Sequence, residues 1–279
     1  MNNYPLLTFA AAFGWLSITA TPITARSTHT KGNTTTDLAT PTVFQAAGPN
    51  AASIQSSVDA YRDALEYPYS RNGWPLASGH REINWDDDSS NDTTKATGAP
   101  FNIFLNTRAS EFNTAGGVPP TGGPQGGLTA LSNNRSYGTN FKTFSPLRLF
   151  TPLGSNITEA LFFLPSAKGN TRATVRGFGA VFTEVAQPDE CDRAQKYGKH
   201  GASTRMEFFG TNGASLFSSF VPAAPGDGSL SFFGVVYNDA RIARVRITTG
   251  DVAPDPGSQR KNDFVMMDQF IYDEHQAAA

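Results

Sequence analysis

The sequence predicts an all-β fold: an antiparallel β-sandwich or jelly roll with one N-terminal amphipathic helix and long loops. Three observations predict it. The second half of the chain is a run of short apolar segments with no helical pattern between them. Their spacing of roughly 10–15 residues favours antiparallel pairing over helical crossovers. Turn formers are plentiful, with 26 Gly and 18 Pro in 279 residues, and 21 Phe can fill a core between sheets.

Residues 1–25 read as a signal peptide. "PLLTFAAAFGWLSITA" is apolar and uncharged, and "ITA" ends at Ala20 and again at Ala25, each a small-x-Ala cleavage pattern. A membrane anchor is the competing reading, but the run falls short of the roughly 20 residues a span needs. The expected location is the secretory pathway or the cell exterior, with no stable membrane insertion. Sequons at Asn33, Asn91, Asn134 and Asn156 agree with export.

Residues 26–42 are Ser/Thr-rich with few large apolar side chains, which predicts a disordered linker. Residues 43–274 are expected to form a single domain and 275–279 a tail. In "NAASIQSSVDAYRDALEYP", Asn50 is a helix N-cap, and Ile54, Val58, Tyr61 and Leu65 recur at helical spacing. Pro68 stops that helix, and its apolar face must cover the outside of a sheet. Tyr67 to Asp92 is a long loop holding a short strand at Arg81–Trp85. "FNIFLN" is a further strand. "AGGVPPTGGPQGG", Ala115–Gly127, is a loop of Gly and Pro, either a lid over a site or a surface excursion.

From Phe144 onward the strands are "LRLFTPLG", "ITEALFFLP", "TRATVRGFGAVFTEV", "STRMEFFGTNGASLFSSFVP", "GSLSFFGVVYND", "ARIARVRITTGD" and "NDFVMMDQFIYDE". Ala243, Val245 and Ile247 alternate with Arg244, Arg246 and Thr248, giving a core face and a water face. "GTNGA" is a hairpin turn, since Gly and Asn tolerate positive φ.

A net charge of −2 with no basic patch argues against a nucleic-acid partner. No GxGxxG, GxSxG or zinc-ligand spacing occurs, and the lone Cys191 has no Cys–His signature around it. His29 and His275 fall in the expected tails. The run "REINWDDDSSND" is unusual in a chain with only 16% charged residues. First and last strands are often neighbours in jelly rolls, which would bring Asp86 or Asp88 to Asp268. Such carboxylates suit a structural Ca²⁺; alternatively the aspartates are solvated and Asp268 caps a turn. His80, next to Arg81 and Glu82, is a proton-transfer candidate or an exposed loop histidine. Trp74, Trp85, Tyr67 and Tyr69 gather near Arg71 and Arg81. Aromatic planes with a few polar groups bind sugars or small apolar and aromatic ligands, or else they seal the end of a sandwich.

Five segments carry a resemblance: "VFQAAGPNAASIQSSVDAYRDALEYP", "ASGHREINWD", "GFGAVFTEV", "SFVPAAPGDGSLSFFGVVYNDARIARVRITTGD" and "VMMDQFIYDE". They look like a group of secreted, mostly uncharacterised bacterial and fungal β-sandwich proteins. The chain also resembles the fungal hetero-Diels–Alderases of tropolonic sesquiterpene biosynthesis, which are meroterpenoid-forming enzymes of secondary metabolism. That resemblance implies an enzyme needing no cofactor, which dehydrates a hydroxymethyl tropolone to an o-quinone methide and couples it to a humulene-type alkene. It carries over no catalytic residue. In such a reaction His80 or Arg81 would polarise the tropolone oxygens. Arg71, Trp74 and Trp85 would hold the rings. A secreted, non-catalytic carbohydrate- or ligand-binding module is the alternative.

Overall fold

The structure is a computed structural model and describes residues 40–86, 100–114, 127–131, 141–146, 149–186, 204–224, 226, 228–250 and 265–278. The expectations for the leader, for Asn33, Asp88, Asn91, Asn134 and Cys191, and for nearly all of the Ala115–Gly127 loop lie outside those residues.

The chain is mostly β. Its strands are β1 (Thr42–Gly48), β2 (Tyr69–Ser70), β3 (His80–Ile83), β4 (Ser110–Thr114), β5 (Gly127–Leu131), β6 (Leu149–Leu153), β7 (Ile157–Phe162), β8 (Ala173–Thr174), β9 (Gly177–Thr183), β10 (Arg205–Phe209), β11 (Ser215–Phe220), β12 (Leu230–Val236), β13 (Arg244–Thr248), β14 (Met266–Asp273) and β15 (Gln276–Ala277). The helices are α1 (Ala51–Ala64) and the single turn α2 (Leu105–Arg108). An eight-stranded sheet runs β1-β12-β9-β14-β3-β2, with β6 also joined to β14 and β5 joined to β6. A five-stranded sheet runs β11-β10-β13-β7-β4, and β15 pairs with β8. Among the described residues, every strand pairing is antiparallel except β2 with β3.

Two kinds of strand explain the sheets. β9 and β12 are near-continuous apolar runs, and β14 is mostly apolar with Asp268, Gln269 and Asp273 in it; all three are buried on both faces. β7 and β13 alternate, and on β13 Val245 and Ile247 are buried while Arg244, Arg246 and Thr248 are partly exposed. Phe112, Phe162, Phe208 and Val245 of the five-stranded sheet share one apolar cluster with Phe178, Phe233, Phe270 and Tyr272 of the larger sheet. The "GTNGA" turn joins β10 to β11 as expected, with Gly213 at φ +77° and Gly210 N–H donating to Ala214 O at 3.0 Å.

Helix α1 starts where the N-cap signal placed it. Asn50 Oδ1 accepts from Ser53 N–H at 3.1 Å. The Ile54–Val58–Tyr61–Leu65 face is fully buried against Val181, Phe232 and Ile271 of the larger sheet. Tyr61 lies over Gly177, Gly179 and Gly234, where any Cβ would stand about 3 Å or less from its ring or hydroxyl. Gly179 and Gly234 are direct cross-strand partners, so the sheet presents a bare patch to the ring.

Three expectations need correction. "FNIFLN" is not a strand: Phe101 makes a lone bridge to Phe112, and Leu105 and Asn106 open α2. The chain end is not a loose tail, because β15 pairs with β8 and His275 is only 5% exposed. Its ring lies between Phe162 and Tyr272 at centroid distances of 5.8 and 5.5 Å, and burial lowers its basicity well below that of a free imidazole. The linker expected over residues 26–42 does not include Thr42, which already opens β1 at the sheet edge beside β12.

Candidate functional site

Four of the predicted site residues meet in one place. Helix α1 ends at Leu65, Glu66 takes φ +69°, and β2 runs parallel to β3 with Tyr69 opposite His80 and Ser70 opposite Arg81. That register stacks the Tyr69 ring on His80 (5.6 Å, 22°), while Tyr67 meets the same imidazole edge-on (5.6 Å, 72°). Tyr67, Tyr69 and Trp74 are 64%, 36% and 71% exposed, making this short segment the source of three of the four exposed large apolar side chains among the described residues. Arg71 is exposed on the same segment, and its Nε–H donates to the Tyr69 hydroxyl at 3.0 Å. Its guanidinium carbon stands 5.3 Å from the Tyr69 ring centre, within cation–π range.

What lies beneath the segment is charged and saturated. Arg81 is fully buried. Its Nε and Nη2 donate to the two Glu274 carboxylate oxygens at 2.9 Å each. Its other N–H groups reach the carbonyls of Asn72, Trp74 (2.8 Å) and Thr107 (3.3 Å). A guanidinium has five N–H donors, and this one has spent them all. Arg108 does a similar task, donating to Glu82 O at 3.0 Å and to Arg71 O. Gly73 lies where an added Cβ would stand 2.2 Å from Asn106 O, so the segment sits directly on α2.

These contacts correct three sequence-based roles. Arg81 holds backbone and offers no donor to a substrate oxygen. His80 is 2% exposed and both ring nitrogens face oxygens, Nδ1 at 2.7 Å from Glu66 O and Nε2 at 3.3 Å from Glu82 Oε1. It is therefore a floor for the two tyrosines rather than an accessible proton shuttle. Trp85 is fully buried, stacked on Phe150 at 4.0 Å and 11°, with Phe101, Phe104, Phe112 and Phe270 around it. It builds core, not a ligand contact.

Glu82 sits between His80, Arg62 and Gln269. Arg62 donates to it at 2.7 and 3.0 Å. Burial pushes its carboxyl upward, but hydrogen bonds from His80 and Arg62 outweigh this and hold it below the usual carboxylate range. The same ion pair ties α1 to β3.

The expected meeting of an early strand with the last one does occur, since β3 pairs with β14. It does not make Asp268 a cation ligand. Asp268 Oδ2 accepts from Phe144 N–H (2.7 Å) and Ser145 N–H (3.0 Å), and Oδ1 from Ser145 O–H (2.7 Å) and Gln269 N–H (2.7 Å). Four donors take up the oxygens a hard cation would need. Burial nonetheless raises this carboxyl from 3.8 to about 7, against the opposing pull of those donors. Among the described residues no three His, Cys, Asp or Glu side chains converge as a metal site, and no helix is long and apolar enough to cross a membrane. Asn156 is partly exposed just before β7, its amide donating to Gly250 O at 3.2 Å.

No known protein family, curated protein or solved structure matches the chain.

Proposed function

We propose that the Tyr67–Trp74 segment binds a planar oxygenated ring, and that the chain is a cofactor-free hetero-Diels–Alderase built on a β-sandwich. One observation carries the choice of site: three exposed aromatic rings and an exposed arginine stand on a segment whose backbone is pinned by two buried arginines. Exposed rings are costly in water, and a rigid backbone lowers the ordering penalty when they take up a ligand. The choice of reaction comes from the chain's resemblance, in size and secreted character, to the hetero-Diels–Alderases; the quoted motifs name no reaction.

In this reading the rings of Tyr67, Tyr69 and Trp74 hold a hydroxymethyl tropolone by its face, and the Arg71 guanidinium steadies negative charge on its oxygens. The exocyclic C–OH bond breaks as the ring hydroxyl gives up its proton, and the two leave together as water. The remaining O=C–C=CH₂ unit adds across a humulene-type double bond, forming one C–O and one C–C bond. Holding two partners in reactive geometry supplies roughly 7–11 kcal/mol of the barrier. Incubating both substrates with the protein and resolving the products by chiral chromatography tests this. One enantiomer should exceed a protein-free control, and the excess should vanish in Trp74→Ala. Products identical to the control would end the enzyme reading.

A second reading has its own support. The rings stand at the surface, with Trp74 at 71% and Tyr67 at 64% exposure, as a platform for a polysaccharide would require. Retention on a glycan panel, lost in Trp74→Ala, is its test.

A further inference from the structure

We propose that Glu274 is a positioning residue for the aromatic segment and acts through Arg81, so that the C-terminal strap Glu274–Ala278 sets the affinity of the site. The ligand in this proposal rests on the preceding reading; the positioning does not.

Glu274 is 3% exposed, and its two oxygens grip Arg81 as a fork at 2.9 Å each. A two-point grip fixes the plane of a guanidinium as well as its position. Only in that plane do the remaining N–H groups reach the carbonyls of Asn72 and Trp74, which flank Gly73. Trp74 is thus an exposed ring on a backbone held by a buried cation. The strap makes a second contact, from Glu274 N–H to Gly79 O at 2.9 Å, where the segment rejoins β3.

The strap also has anchors other than Arg81. On one side Asp273 accepts from Arg176 at 3.0 and 3.1 Å. On the other, the His275 ring lies against Phe162 and Tyr272, Gln276–Ala277 pairs with β8, and Ala278 N–H reaches Arg172 O at 3.4 Å. Loss of Glu274 therefore frees Arg81 without freeing the sheets.

The test uses full-length protein labelled with 5-fluorotryptophan, with the Trp74 fluorine resonance assigned by Trp74→Phe. Replacing one partner of a buried pair strands a charge, whereas replacing both with apolar side chains is often neutral for stability. The main variant is accordingly Arg81→Met with Glu274→Leu, and Glu274→Gln is the shape-preserving companion. The double variant also strips the Asn72, Trp74 and Thr107 carbonyls of Arg81, so it should stay folded at a lowered melting point, while its Trp74 resonance moves toward the value of a free chain. Its Kd for tropolone, used as the probe, should rise by about tenfold or more, the scale of a lost charge-assisted hydrogen bond. Glu274→Gln should shift both readouts in the same direction by less. A folded double variant with unchanged resonance and unchanged Kd overturns the proposal. If the double variant does not fold, an unchanged resonance in Glu274→Gln overturns it instead. A wild type that binds no tropolone removes the ligand reading alone, and the resonance still decides the positioning.

Discussion

Two indoles in opposite surroundings separate ligand binding from stability. Trp74 is 71% exposed, whereas Trp85 is fully buried among five phenylalanines. Trp74→Ala should leave the melting point nearly unchanged, since exposed substitutions usually stay within about 0.5 kcal/mol. It should abolish ligand binding. Trp85→Ala should cost about 3–5 kcal/mol by emptying a packed site, visible as a lower denaturant midpoint. Equal effects from the two variants on stability would contradict the assignment. Asp268 makes a prediction about pH. Its folded-state carboxyl is raised from 3.8 to about 7, so the native state holds the proton more tightly than the unfolded chain. The stabilisation is complete below about pH 4 and is lost as pH rises through 7; at about 1.4 kcal/mol per unit it amounts to about 4 kcal/mol at most. Asp268→Asn removes the titrating group and should flatten the stability profile across that window, measured by urea midpoints. A wild-type profile that stays flat over the same window would mean that the four donors hold the group ionised.

At the scale of elements, α1 shows how far a pattern carries. Its N-cap, its buried stripe and its end near Pro68 were all legible, because capping and helical periodicity are local properties. Asn50→Ala should cost about 1 kcal/mol, read from thermal melts. The glycine floor beneath Tyr61 was not legible, because it needs the cross-strand register of Gly179 with Gly234. Gly234→Ala puts a Cβ 2.8 Å from the Tyr61 ring and should cost about 1–3 kcal/mol by overpacking. An alanine variant as stable as wild type would show that the helix can lift without penalty. Strand β1 went unread for a different reason. "TVFQAAG" neither alternates cleanly nor has strong turn signals before it, and only its pairing with β12 makes it a strand. The same holds for β15, two exposed residues that become a strand through β8 alone.

For the whole molecule, the β class and the strand series followed from composition and spacing, since the apolar runs of β9, β12 and β14 state their own burial. The gathering of Tyr67, Tyr69, Arg71, Trp74 and His80 was also legible, because they lie on consecutive stretches of one loop. Their division of labour was not. Which arginine faces water depends on Glu274, nearly two hundred residues away in sequence with |i−j| of 193, and which tryptophan is core depends on Phe150 and Phe270 from distant strands. Charge and aromatic content mark a neighbourhood; tertiary partners decide which side chains a ligand can touch. The central claim is that the ligand touches Trp74. It is tested most directly by titrating 5-fluorotryptophan-labelled protein with tropolone and following each indole by fluorine NMR. The account predicts that the Trp74 resonance shifts saturably and loses its solvent isotope effect, while that of Trp85 stays fixed. Saturable binding that moves the Trp85 resonance and leaves Trp74 unchanged would contradict it.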